Sequence, residues 1–238
     1  MEFSYNLNET FPGTSHILKI GHDLLPSDYN MSFNGRNFHL LQQRVSDILD
    51  TMGEASARAQ GLKAPITSGS RLRMQSEHVV YILIDRASNN GLGSVVGLLK
   101  VGKKNLFLIG NLSTFKKKLL ISSSRIFILI PDGQGAQNEV YPLCVLDFYV
   151  QESRQRSGCG KALFEYMLND QKFEPKFMAV DRPSPKLLAF LRKHYNLAKP
   201  IPQVNNYVIF DGFFTGRPFE CSPGPKRARI YMGKLQYV

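Results

Sequence analysis

Residues 143–168 constrain the fold more than any other stretch of the chain. Leu143 to Val150 is apolar, β-branched and aromatic, the composition of a largely buried strand. Gln151 to Ser157 is a polar turn. Gly158-Cys159-Gly160 then opens a helix whose Leu163, Phe164, Met167 and Leu168 share one face. Such a junction leaves the first backbone N–H groups of the helix without internal partners, pointing at the loop. The helix dipole favours negative charge there, and glycine lets an anion approach the backbone. The stretch therefore predicts a cradle for phosphate or pyrophosphate, with Arg154, Arg156 and Lys161 as added positive charge. It is not Gly-x-Gly-x-x-Gly and holds no Gly-Lys-Ser/Thr, so neither a dinucleotide fold nor a P-loop is indicated.

At 238 residues and 43% apolar content the chain suits one domain with a sizeable core. Lys plus Arg number 30 against 19 Asp plus Glu, a formal charge of +11. That excess predicts attraction to a polyanion: nucleic acid, an acidic membrane, a polyphosphate cofactor or an acidic protein surface. No basic-aromatic recognition motif singles out nucleic acid. Cys144, Cys159 and Cys221 are odd in number and lack metal-ligand spacing, so no metal and a reducing compartment are expected. Met1 to Asn8 lacks the pattern of a secretory signal, and no apolar run is long enough to span a bilayer.

Taken in order, Met1 to Leu7 alternates and predicts a short edge strand, and Asn8 to Arg36 reads as loop. Leu40, Leu41, Val45, Ile48, Leu49, Met52, Ala55 and Ala59 recur at helical spacing, which predicts a helix from Phe38 to Gln60, stopped by Gly61. Ala64 to Ser70 reads as loop. His78 to Asp85 and Ser94 to Val101 predict a hairpin across Asn90-Gly91. Leu106 to Ile109 and Arg125 to Ile130 are strand-like; either the two pair or only one joins the sheet. Between Lys103 and Ile130 lie six basic residues and no acidic one, with Lys116 to Lys118 read as solvated loop. Lys176 to Asp181 predicts a strand. Ser184-Pro185 predicts a capped helix with Leu187, Leu188, Phe190 and Leu191 on its buried face. Val204 to Phe210 predicts the last strand, and Gly212 to Val238 reads as a disordered basic tail.

Gln155-Arg156-Ser157-Gly158-Cys159-Gly160 resembles the Gln/Arg-x-x-Gly-x-Gly/Ala signature of the GNAT superfamily of N-acetyltransferases. Longer blocks narrow the resemblance: Gly53 to Gln60, Ala64 to Ser68, His78 to Leu83, Leu146 to Tyr149, Asp181 to Ser184, Lys193 to Leu197 and Pro202 to Phe214. In that order they closely resemble the α-tubulin N-acetyltransferase family. The resemblance implies the GNAT fold, an α/β (α+β) domain whose central mixed, mostly antiparallel sheet splays for acetyl-CoA between flanking helices. It places the acetyltransferase domain at 1–214 and the basic tail at 215–238. It implies acetyl transfer, within a ternary complex, to a lysine in a lumenal loop of α-tubulin in microtubules. A cytoplasmic, cytoskeletal monomer, in cilia or axons, is the corresponding expectation. The chain departs from the family pattern near Lys103 to Ser124, where an insertion is expected.

The chemistry sets its own demand. A lysine near pKa 10.4 is neutral in about one molecule in two thousand at pH 7, so a base or a water path to one is required. Where many GNAT enzymes carry a Glu, this chain has Cys144. The resemblance marks Cys144 and Asp181 as the catalytic pair, either being the proton acceptor, and Gln60 as essential; its amide cannot titrate but can hold the substrate. Phe148, Tyr149 and Val150 would pair with the pantetheine as an added strand. Gln151, Glu152, Ser153, Arg154 and Gln155 lead into Arg156, Ser157, Gly158, Cys159, Gly160 and Lys161, which would hold the pyrophosphate. Ser184, Pro185, Lys186, Leu187, Leu188, Ala189, Phe190, Leu191, Arg192 and Lys193 would form the far wall. The alternatives are an acetyltransferase for another lysine and an impaired homologue that only binds microtubules.

Overall fold

Two apolar layers close on the two faces of one sheet in the computed structural model, which describes residues 1–27, 38–110 and 137–217. The helices are α1 (Leu7–Thr10), α2 (Phe38–Gln60), α3 (Gly69–Arg73), α4 (Cys159–Gln171) and α5 (Pro185–Tyr195). The strands are β1 (Ile17–Ile20), β2 (His78–Asp85), β3 (Ser94–Lys103), β4 (Leu106–Ile109), β5 (Gln137–Val140), β6 (Leu143–Val150), β7 (Ala179–Asp181), β8 (Pro200–Pro202) and β9 (Tyr207–Phe210). Seven strands run in the order β1-β2-β3-β6-β7-β9-β8, and β4 pairs with β5 as a separate hairpin. Among the described residues β6 and β7 are the parallel neighbours, and the other pairs are antiparallel. The expected mixed, mostly antiparallel sheet flanked by helices is present.

The layers follow from side-chain period. Val45, Ile48, Leu49 and Met52 of α2 pack with Val80, Ile82, Val95, Leu98 and Tyr149 on one face. Leu163, Phe164 and Met167 of α4 and Leu191 of α5 pack with Val96, Leu99, Val101, Leu143 and Val145 on the other. Each such side chain contributes about 1.5–3 kcal/mol on burial. Ser184 caps α5, its hydroxyl accepting from the Leu187 N–H at 3.2 Å, with Pro185 in the first turn as expected. Helix α2 ends at Gln60 with Gly61 at φ +66° and a Leu62 N–H to Ala57 O bond of 2.9 Å, a glycine-terminated helix end.

A bulge in β6 changes which residues face which layer. Lys100 pairs with Asp147 but Val101 pairs with Val145, so Leu146 is the extra residue. Leu143 and Val145 face α4, and strict alternation would send Asp147 there too. After the bulge Phe148 and Val150 take the α4 face, while Cys144 and Leu146 pack on the opposite one with Ile209 and Phe213. Asp147 thus reaches the α2 side.

Several expectations are corrected. Met1 to Leu7 is no strand. Asn6 instead caps α1, its side-chain oxygen accepting from the Asn8 and Glu9 N–H groups. The stretch read as loop contains β1, which pairs with β2 and is too short to show a period. The Ala64 to Ser70 loop ends in Ser68, the cap of α3. Leu106 to Ile109 pairs with Gln137–Val140, which was not expected to be a strand, while Arg125 to Ile130 and Lys116 to Lys118 lie outside the described residues. Pro200–Pro202 also joins the sheet. The chain stays packed past Gly212: Phe213 and Phe214 are buried, and buried Arg217 donates to Phe177 O at 2.7 Å.

Gly53 fixes how closely the loop after α2 approaches the helix. A Cβ there would lie 2.0 Å from the backbone oxygen of Thr67. Alanine normally stabilises a helix interior by about 1 kcal/mol over glycine, but overpacking against backbone costs about 1–3 kcal/mol. Gly53→Ala is therefore expected to lower the melting temperature by several degrees. A calorimetric Tm equal to or above that of the parent would show that the loop yields instead.

Candidate active site

The β6–β7 ladder is short. Cys144 pairs with Ala179 and Val145 with Val180; β7 then ends at Asp181 while β6 continues to Val150. From Leu146 onward β6 has no ladder partner on that side among the described residues. The mouth has an apolar floor. Half-buried Phe148 and Phe190 lie 5.4 Å apart between ring centroids. A Cβ on Gly160 would meet the Phe148 ring at 3.3 Å, a tight contact, so glycine lets α4 start close to β6 without moving that ring.

At the end of β6 the loop leads into a glycine-capped start of α4. Gly158 is the N-cap of α4 at φ +88°, with no side-chain cap, and a Cβ there would meet nothing within 4 Å. Among the described residues no side chain caps the first-turn N–H groups of α4. Arg156, at φ +65°, is exposed beside them. Lys161 is exposed and 3.5 Å from Glu165 one turn on. Arg154 is differently placed: its guanidinium pairs with Asp85 at 2.6 Å, tying the loop to the end of β2.

Cys144 and Asp181 share one face of the sheet, at the point where the ladder opens. Ala179 packs with Cys144, and alternation along β7 puts Asp181 on the same side. Cys144 is fully buried, and burial pushes its thiol up to about 12; the nearby Asp181 carboxylate adds to the rise. Its Sγ donates to Pro142 O at 3.5 Å. Asp181 keeps a side-chain exposure of 16% and accepts from Arg182 Nε at 3.2 Å. Tyr207, opposite Asp181 on β9, has its hydroxyl pKa raised by burial and then by Cys144 and Asp181.

The description "GNAT acetyltransferase, Mec-17" belongs to the family model that matches residues 3–120 and 120–235. The chain belongs to this family. The two matched pieces meet at residue 120, inside the stretch where the sequence departs from the family pattern. Three curated relatives are α-tubulin N-acetyltransferases by name. That of Anopheles gambiae is 40% identical over 217 residues, covering 91% of this chain and 39% of the mosquito protein. That of Danio rerio is 43% identical over 220 residues, covering 91% and 63% of the two chains. That of Trichoplax adhaerens is 43% identical over 223 residues, covering 90% and 82%. The chain thus spans less than two thirds of the mosquito and zebrafish relatives.

Set beside the Mec-17 family's cofactor, the opened ladder, its apolar floor and the uncapped helix start fit a ligand with an amide-bearing arm and a polyphosphate. Not every expected contact gathers there. The Tyr149 side chain is buried on the α2 face, its hydroxyl donating to Glu152 at 2.8 Å. Leu191 is core, 1% exposed. Leu188, Ala189, Arg192 and Lys193 line a cleft of about 520 Å³ with Leu197, Ala198, Pro200 and Phe210, towards β8 and β9. Phe190 is the residue of α5 whose ring touches both Phe148 and Phe164.

Gln60, exposed at the end of α2, comes to the Cys144 face of β6 through a residue that the sequence reading passed over. Its Nε2 donates to Asp147 Oδ1 at 3.0 Å and to Ser56 Oγ at 2.8 Å. A charged residue in the run Leu143 to Val150, and Lys100 in the run Val95 to Val101, were visible signals: charges in buried strands are rare unless paired.

The burial of Cys144 has a direct chemical consequence. With its thiol near 12, thiolate is scarce up to pH 9. Iodoacetamide on the folded protein at pH 8 is expected to label half-exposed Cys159 and to spare Cys144 until denaturant is added. Peptide mass spectrometry showing Cys144 labelled at the Cys159 rate would contradict that burial.

Proposed function

We propose that this chain transfers the acetyl group of acetyl-CoA to a lysine in a lumenal loop of α-tubulin, directly and in a ternary complex. The observation that carries the reading is the opened β6–β7 ladder, with Cys144 and Asp181 at its mouth and the Gly158 loop at the end of β6. The names of the curated relatives support tubulin as the substrate. The formal charge of +11 suits approach to an acidic polymer.

The α4 N-terminus, Arg156 and Lys161 would bind the pyrophosphate, and the open edge of β6 from Phe148 to Val150 the pantetheine amides. Acetyl-CoA, when bound, supplies a thioester carbonyl for the amine to attack. Gln60 would hold the lysine. Asp181, at the border of solvent, would take its proton and pass it outward. Cys144 stays a thiol, packs the floor of the mouth and keeps water from it. Incubation with isotope-labelled acetyl-CoA and microtubules, followed by mass spectrometry, should place the label on one α-tubulin lysine. Label on histone or free tubulin at an equal rate, or none on microtubules, would overturn the assignment.

Two substitutions test the parts separately. Arg156→Glu sets like charge against the pyrophosphate and should weaken acetyl-CoA binding about tenfold or more, since charge-assisted bonds contribute about 1.5–3 kcal/mol. Unchanged affinity in calorimetry, with the fold intact, would place the pyrophosphate elsewhere. Asp181→Asn keeps shape and removes the proton acceptor, so kcat should fall about 10²–10⁴-fold. Acetyl-CoA affinity should hold, and raised pH should partly restore turnover as more lysine becomes neutral. A structural Asp181 would instead lower Tm and show no recovery with pH.

A further inference from the structure

Asp147 carries none of the roles above, yet its carboxylate is 4% exposed and fully engaged. Oδ1 accepts from Ser56 Oγ at 2.7 Å and from Gln60 Nε2 at 3.0 Å; Oδ2 accepts from Thr67 Oγ1 at 2.6 Å. Across the ladder stands Lys100, 3% exposed, whose Nζ donates to Ile66 O at 3.2 Å. The two are ladder neighbours without a direct ion pair; burial pulls the Lys100 ammonium down to about 8, and the Asp147 charge opposes that fall. The cluster joins three segments: the last turn of α2, the loop after it, and the bulged strand that carries Cys144.

The donors around Asp147 decide which way the Gln60 amide points. A carboxylate offers acceptors only, so the amide must turn its NH₂ group inward. That NH₂ is then held by two adjacent acceptors, Asp147 Oδ1 and Ser56 Oγ. The amide oxygen Oε1 is left to face outward from an exposed residue. An oxygen is the atom that can accept from a lysine N–H; an NH₂ group in its place would oppose the incoming amine.

We propose that Asp147 is a positioning residue for acetyl transfer: it fixes the Gln60 carboxamide with its oxygen towards the substrate amine, with buried Lys100 as the positive charge across the ladder. The inference rests on the reading of Gln60 as a substrate-holding group. It also gives the bulge a purpose, since without the extra residue Leu146 the carboxylate would face α4 and never meet α2.

The test is a double-mutant cycle on microtubules, with acetyl-CoA affinity and Tm measured for every variant. Asp147→Ala should reduce kcat/KM by about tenfold or more, the loss of a charge-assisted hydrogen bond, with acetyl-CoA affinity unchanged. Gln60→Ala should lose at least as much, and adding Asp147→Ala to it should cost little further, because Asp147 acts through Gln60. Asp147→Asn, whose oxygen can still accept from Gln60, should recover most of what Asp147→Ala loses. Asp147→Leu with Lys100→Met replaces the buried pair by apolar groups of similar size and gives a second reading if the alanine variant unfolds. Additive losses, or a loss that tracks Tm and acetyl-CoA affinity, would overturn the proposal. So would an Asn variant as poor as the alanine one, which would mark Asp147 as a proton carrier. If the unaltered protein leaves microtubules unlabelled, the functional reading itself fails and this inference falls with it; an active parent with an additive cycle removes the inference alone.

Discussion

β6 and β7 run parallel for only two residue pairs, Cys144–Ala179 and Val145–Val180, in a sheet otherwise antiparallel among the described residues. A parallel pair cannot be closed by a hairpin; it needs a crossover, and α4 is that crossover. The carboxyl ends of both strands therefore lie at one end of the sheet. The Gly158 loop follows the first of them, and Asp181 ends the second. Because β7 has three residues and β6 eight, the strands cannot stay paired; beyond Val145 the Val150 carbonyl accepts from Gln155 Nε2 at 2.9 Å, and the remaining backbone groups of that edge are left for water or a ligand. The placing of the Gly158 loop, the open edge and the Asp181 carboxylate follows from this one departure from antiparallel order.

The bulge at Leu146 is the second constraint. In a strand of strict period, Cys144 and Asp147 would lie on opposite faces. One extra residue puts both on the face away from α4. The cost is a break in the β3–β6 ladder; what it gains is a carboxylate under the end of α2. Gly53 serves the same arrangement from the other side. Its missing Cβ lets the Thr67 carbonyl approach α2, which brings the Thr67 hydroxyl within reach of Asp147.

Long periodic elements were legible in the sequence. α2 was read to the residue from its apolar spacing, β6 from its composition and α5 from its Ser-Pro start. The glycine loop was legible because its function depends on backbone, and glycine marks backbone geometry directly. What stayed hidden lacks period. β1, β5 and β8 are three or four residues long, and their strand character comes from the neighbour they pair with, not from their own side chains. Met1 to Leu7 alternates like a strand, yet residues 1–6 form no strand and Asn6 starts α1 at Leu7. The bulge is equally silent, since nothing in Leu143 to Val150 says which residue is extra. Asp147 was therefore visible as a charge in an apolar run, but its partners were not.

The electrostatics of the mouth separate two groups that the sequence alone left equivalent. Cys144 and Asp181 face the same opening, yet their surroundings differ. Cys144 is sealed, and its thiol, already donating to Pro142 O, would have to carry a charge with no water to solvate it. Desolvation always opposes the charged form, so a thiol near 12 could accept a proton only after a costly ionisation. Asp181 retains contact with solvent and accepts from the Arg182 guanidinium at 3.2 Å. On the proposed reaction the proton must also leave the site, and the path outward starts at the group that touches water. The same field raises the Tyr207 hydroxyl, which therefore stays protonated and cannot compete for that proton. Of the three groups at the mouth, the proposed reaction gives the proton to Asp181, the partly exposed carboxylate, while burial holds the Cys144 thiol and the Tyr207 hydroxyl protonated.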